Sequence, residues 1–179
     1  MKITNKLFRL LILTLCLGAG FCVLLWYQQN RHQQNQRQVN LIQVDKSDKS
    51  MMLITRGGDT IRTYHIELGF SPKGHKQRLK DGKTPEGTYK ITIKNPESIA
   101  YKSLRISYPN ERDKEIADSL GVNPGGDIMI HGLLNGTKAA KDNRHPKPDW
   151  TGGCIAVTNT EMDEIYELVK VGTKIIIKP

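Results

Sequence analysis

A mainly β domain with two short helices, built as a mixed β-sheet or sandwich behind an N-terminal transmembrane helix, is the fold class this sequence predicts. Three observations carry that reading. From Leu10 to Tyr27 there are 18 residues without a charge. From Leu41 onward, short apolar runs alternate with turn-forming Gly, Pro, Asn and Asp. Only two later stretches, Glu111 to Leu120 and Glu161 to Lys170, space their apolar residues as a helix does.

Residues 1–27 read as a signal anchor. The uncharged run spans about 27 Å as a helix, close to the ~30 Å hydrocarbon thickness of a bilayer. Trp26 and Tyr27 close it at the level of an aromatic belt, and Lys2, Lys6 and Arg9 favour a cytoplasmic N-terminus with the rest of the chain exported. A cleaved signal peptide is the competing reading, but Trp26-Tyr27-Gln28 is not a small-residue cleavage site. Residues 28–40, QQNRHQQNQRQVN, form a polar linker too poor in apolar residues to bury a core. The formal charge of +9 is uneven, because the first 40 residues hold five basic and no acidic side chains. The remainder sets 22 basic against 18 acidic residues, so the basicity is poor evidence for nucleic-acid binding.

The domain occupies residues 41–179. Leu41 to Val44 and Met51 to Ile54 read as strands, Thr55 to Thr60 as a hairpin turn, and Ile61 to Leu68 as an alternating strand with His65 on its polar face. Gly69 to Gly87 is a long basic connection, in which His75 and the lysines are expected in solvent. Tyr89 to Ile93 and Leu104 to Ser107 resume the strands. Glu111 to Leu120 is a helix stopped at Gly121. Thr158 or Thr160 caps the second helix, and Thr173 to Lys178 is a final strand.

The chemistry gathers between Asp127 and Thr158. The apolar run Ile128-Met129-Ile130 delivers His131-Gly132, and Thr151-Gly152-Gly153-Cys154 opens the run Ile155-Ala156-Val157. Both groups sit where a strand meets a loop. A thiol attacks as thiolate and needs a base, for which His131 is the candidate. The glycines before Cys154 leave backbone N–H groups uncovered, which suits an oxyanion hole. Cys16 and Cys22 fall in the anchor, so Cys154 is the one cysteine of the domain. The competing reading is an inert buried thiol beside an unrelated histidine. His145, on the Pro-flanked loop Leu133 to Trp150, ranks second as a base. Zinc held by His131, His145 and Cys154 has no supporting ligand spacing.

His131-Gly132 followed by Thr151-x-Gly153-Cys154 resembles the signature of the YkuD-type L,D-transpeptidases. Lys83-Thr84-Pro85-Glu86-Gly87-Thr88-Tyr89 resembles that family's upstream T-P-x-G-x-[FY] element. Ser107-Tyr108-Pro109-Asn110 and Pro124-Gly125-Gly126-Asp127 resemble a subgroup with Gly-Cys-x-Ala in place of Gly-Cys-x-Arg. The resemblance implies a YkuD β-sandwich-like domain that transfers acyl groups of peptidoglycan stem peptides through a Cys154 thioester. In it His131 is the base, Gly132 supplies a carbonyl that orients the imidazole, and Gly152, Gly153 and Cys154 supply oxyanion N–H groups. No metal or cofactor is implied. Thr151, Lys83, Lys138 and Lys141 are the candidate substrate contacts, the loop lysines Lys138 and Lys141 standing in for the arginine that Ala156 replaces. A murein hydrolase acting through the same acyl-enzyme is the alternative, and a non-catalytic wall-binding module a second one.

Overall fold

The computed structural model describes residues 22–31 and 33–179. The chain divides into two compact units, residues 1–38 and 39–179. In the first unit, residues 22–31 and 33–36 are helical and almost wholly exposed. The polar stretch read as a linker is therefore helical over residues 28–31 and 33–36. Gln and Arg, which recur in it, propagate a helix well. Among the described residues no helix is long and apolar enough to cross a membrane. Most of the anchor read over residues 1–27, Cys16 included, lies outside the described residues.

The second unit contains, among the described residues, eight strands and three helices. The strands are β1 (Val39–Asp45), β2 (Ser50–Thr55), β3 (Thr60–His65), β4 (Gly87–Ser98), β5 (Tyr101–Ile106), β6 (Met129–His131), β7 (Ile155–Ala156) and β8 (Lys174–Lys178). They form a mixed sheet in the order β3-β2-β1-β8-β4-β5-β6-β7, with β1–β8 and β6–β7 parallel. Register shifts interrupt the β1–β2, β2–β3 and β4–β5 ladders, and such bulges sharpen twist. The two ends of the sheet meet. Just past β3, Glu67 exchanges both backbone hydrogen bonds with Ala156 of β7, at 2.9 and 2.8 Å. Phe70 N–H then donates to the Thr151 carbonyl at 3.0 Å. The sheet is thus a curled, closed body, and the Cys154 turn lies on its seam.

Alternation decides which side chains fill it. Ile42, Val44, Leu53, Tyr89, Ile130 and Ile155 belong to one buried core. The helices are α1 (Glu111–Ser119), α2 (Lys138–Asp142) and α3 (Asn159–Leu168). Asn110 caps α1 and Thr158 caps α3, each in a reciprocal capping box. Met162 and Ile165 of α3 are fully buried.

The structure departs from the sequence reading in four places. A third short helix, α2, lies in the loop expected to be irregular. Its cap Thr137 accepts from Ala140 N–H, and five residues carry too little periodicity to be seen in sequence. Strand β4 runs five residues past Ile93, into a hairpin whose turn has Tyr101 at φ 66°. α3 starts two residues earlier than expected, because Thr158 rather than Thr160 is the cap. The Gly69 to Gly87 connection is ordered rather than solvated. Lys76 is buried against Asp81 at 2.7 Å, and Asp81 also accepts from the N–H groups of Gln77, Arg78 and Lys83. His75 is half-buried, with Nδ1 accepting from Glu86 N–H.

Candidate active site

β6 and β7 position the two reactive groups. Ile130 pairs with Ile155 and His131 with Ala156 in a parallel ladder. Side chains alternate along a strand, so Ile130 and Ile155 point into the core. His131 and the residue two before Ala156, Cys154, share the opposite face on neighbouring strands. Burial of the two isoleucines, each fully enclosed, thereby sets the register that puts imidazole and thiol on one cleft.

His131 is 8% exposed. Its Nδ1 lies 2.6 Å from the Gly132 carbonyl. A carbonyl only accepts, so Nδ1 carries the proton and Nε2 keeps its lone pair. Burial pushes the imidazole below its ordinary pKa, the Gly132 carbonyl opposes this, and nearby His145 adds a downward push. The resting ring is therefore neutral near pH 7. Gly132 has no room for a side chain, since a Cβ there would lie 2.7 Å from Asn159 Oδ1.

Cys154 is half-buried, and its Sγ–H donates to the Asp127 carbonyl at 3.6 Å. Burial pushes the thiol up, while the Met129 backbone N–H pulls it the other way. The resting pair is thus thiol and neutral imidazole. The turn before Cys154 is braced by Thr151, whose Oγ1 donates to the Cys154 carbonyl at 2.7 Å and accepts from Gly153 N–H at 3.1 Å. Gly153 adopts φ 135°, and a Cβ on it would lie 2.6 Å from the Lys83 carbonyl. The T-P-x-G segment and the cysteine turn, 70 residues apart in sequence, are therefore in backbone contact. Gly152 is exposed and faces open space. Among the described residues, the N–H groups of Gly152 and Cys154 donate to no protein acceptor.

A cleft of about 320 Å³ joins these groups. Its floor holds His131, Thr151, Gly152 and Cys154, and its walls include Ile99, Leu134 and Trp150. Among the described residues, no lysine or arginine lines it. Lys138 and Lys141 are exposed on α2, away from the cleft lining. Lys83 faces a separate cleft of about 440 Å³ with Ser71, Arg78 and Asp81. The structure thus gathers His131, Gly132, Thr151, Gly152, Gly153 and Cys154, and leaves the three lysines outside. Sequence reasoning missed the walls. Trp150 adjoins the Thr151 motif and could have been noticed there, whereas Ile99 reaches the cleft only through the β4–β5 hairpin. Among the described residues, no group of three or more His, Cys, Asp or Glu side chains is arranged to hold a metal.

A curled mixed sheet that presents a carbonyl-anchored imidazole at the end of one strand and a thiol on the turn entering its parallel neighbour defines a class of β domain with a Cys/His site. The chain belongs to the YkuD family of L,D-transpeptidase catalytic domains, whose family model matches residues 39–177. It is 29% identical over 133 residues to YafK of Escherichia coli K12, a putative L,D-transpeptidase, covering 72% of this chain and 46% of that protein. The helical cell shape determining protein Pgp2 from Campylobacter jejuni shares the fold with a TM-score of 0.61 at 24% identity, covering 78% of this chain and 47% of that one. Bdellovibrio bacteriovorus Bd1075 does so with a TM-score of 0.57 at 22% identity, over 79% and 48%. The chain spans about half the length of the curated relatives it matches.

Proposed function

We propose that this domain performs cysteine-dependent acyl transfer on peptidoglycan stem peptides, with Cys154 as nucleophile and His131 as base. One observation carries the reading: the Nδ1–H bond to the Gly132 carbonyl leaves Nε2 as the proton acceptor on the face it shares with Cys154. Proton transfer from Sγ to Nε2 forms the thiolate, which attacks the carbonyl of the third, diamino-acid residue of a stem peptide. The tetrahedral oxyanion meets the free N–H groups of Gly152 and Cys154. Gly153 N–H, already held by Thr151 Oγ1, shapes the turn instead. His131 then returns its proton to the leaving amine, and a thioester remains on Cys154. An acceptor amine attacking the thioester gives a crosslink; water gives hydrolysis.

The hydrolytic reading has its own support. Position 156 carries a buried Ala, and among the described residues no lysine or arginine lines the cleft to seat an acceptor carboxylate. Ionic strength therefore has little purchase on the partition between acceptor and water. Residues 1–27 are read as the anchor that places the domain on the exported side of a membrane.

The test is to incubate the purified protein with muropeptides and weigh the products. Crosslinked dimers establish transfer, and shortened stems establish hydrolysis. Absence of both, with no acyl adduct on Cys154, refutes the enzymatic reading and leaves a wall-binding module.

A further inference from the structure

We propose that Trp150, tethered by His145, is a positioning residue for the His131 imidazole, and that the support holds only while His145 is neutral. The inference rests on the reading of His131 as base.

One hydrogen bond, to the Gly132 carbonyl, leaves an imidazole free to pivot about that contact. The second restraint is Trp150. Its ring stands edge-on to His131, with centroids 5.6 Å apart and planes at 77°, a favourable aromatic geometry. The Trp150 backbone is clamped from both sides by the segment after β3. Asp149 N–H donates to Glu67 Oε2 at 2.8 Å, and Leu68 N–H donates to Asp149 Oδ1 at 3.2 Å. On the other side, Thr151 N–H donates to the Leu68 carbonyl at 3.1 Å. Only the indole remains to be fixed, and His145 fixes it, with Trp150 Nε1–H donating to His145 Nδ1 at 3.3 Å.

That bond sets the protonation state. An indole nitrogen is a donor only, so His145 Nδ1 must carry a lone pair. In imidazolium both ring nitrogens are donors, and two N–H groups would face each other. Three groups bear on the ring from the elements around it. Glu67 past β3 and Glu161 on α3 favour its protonated form, whereas His65 on β3 opposes it. Burial outweighs these and holds His145 below the ordinary histidine value. Acidification protonates it, releases the indole and removes the wall from His131. The same bond explains why His145 is not the base, since its Nδ1 is occupied by the indole.

The experiment uses the full-length protein with Trp150→Phe, His145→Ala and their double variant, comparing muropeptide turnover across pH. Phe keeps a ring beside His131 but has no N–H, and Ala removes the acceptor from a partly exposed loop position. Each single change is expected to lower kcat about three- to tenfold, the scale of one lost hydrogen bond, with KM little altered. The double variant should be no slower than the slower single one, because both remove the same bond. The acid limb of the kcat profile should report two protonations in the unaltered protein and one in His145→Ala. Multiplied losses in the double variant, unchanged kcat in both singles, or an acid limb indifferent to His145 would each overturn the proposal. His131→Ala is assayed alongside. If it alone retains full turnover, the base assignment falls; if it is inactive while the tether variants behave independently, only the tether falls.

Discussion

At the scale of single residues, the candidate site leaves particular atoms free. His131 keeps a lone pair on Nε2 because Nδ1 is committed to the Gly132 carbonyl, and among the described residues no protein acceptor takes the Gly152 N–H. Cys154→Ala should abolish turnover with an unchanged unfolding midpoint, since a half-buried thiol contributes little packing. An active Cys154→Ala variant would remove the nucleophile from the mechanism. His131→Ala should lower kcat by about a hundredfold or more, the usual scale of a general base. The pH dependence follows in sign. On the proposed reading His131 acts as a neutral base, so turnover falls as pH drops through its folded pKa, which burial holds below the ordinary histidine value. The inflection should therefore lie on the acid side of about 6.5. A kcat profile with its acid inflection at or above that value would contradict the burial argument.

At the scale of elements, the β6–β7 ladder and the Gly153 turn carry the geometry. Ile130 and Ile155 are fully buried on the far face of the strands that present His131 and Cys154. Ile155→Ala should cost about 2–5 kcal/mol of stability through the cavity it leaves. Because the same residue holds the register, kcat should fall too, measured on the fraction still folded. Gly153→Ala is a sharper test. The added methyl meets the Lys83 carbonyl at 2.6 Å, and φ 135° is strained for any residue with a Cβ. The turn must shift, so a drop in unfolding midpoint of about 5 °C or more should accompany a loss of turnover exceeding tenfold. A variant with native turnover would show that the backbone contact between the T-P-x-G segment and the cysteine turn does not place the thiol.

At the scale of the whole molecule, closure of the sheet joins its two ends. The bonds between Glu67 and Ala156 join the sheet's ends, and the carboxylate of Glu67 also draws in Lys49, His65 and the Asp149 N–H. If residues 1–27 are the anchor, the full-length protein should sediment with membranes and keep its N-terminus. Mature protein beginning after Tyr27, found by N-terminal sequencing, would make them a signal peptide. Stability should also fall on acidification. Unfolded His131 binds a proton near pH 6.5 and the folded residue only at lower pH, so the unfolded state takes up more protons below that value. The contribution is whole above the ordinary histidine value and is lost as pH falls through the folded one.

The sequence by itself determined the β class, both longer helices, the family resemblance and the His131 and Cys154 candidates. These are local properties: alternation marks a strand, a Ser/Thr/Asn cap followed by an apolar stripe marks a helix, and a motif carries its own spacing. The tertiary structure decided what depends on residues distant along the chain. It placed Lys138, Lys141 and Lys83 outside the cleft, although their charge and position near the motifs had suggested substrate contact. It brought Ile99 to the cleft by extending β4, and it buried Lys76 in an ion pair. It also separated the glycines, giving Gly152 an open N–H and engaging that of Gly153 with Thr151. Chain order cannot reveal such distinctions, because a hydrogen bond or a cleft wall is made by where the curled sheet returns. That return is set by the summed burial and register of strands far apart in sequence.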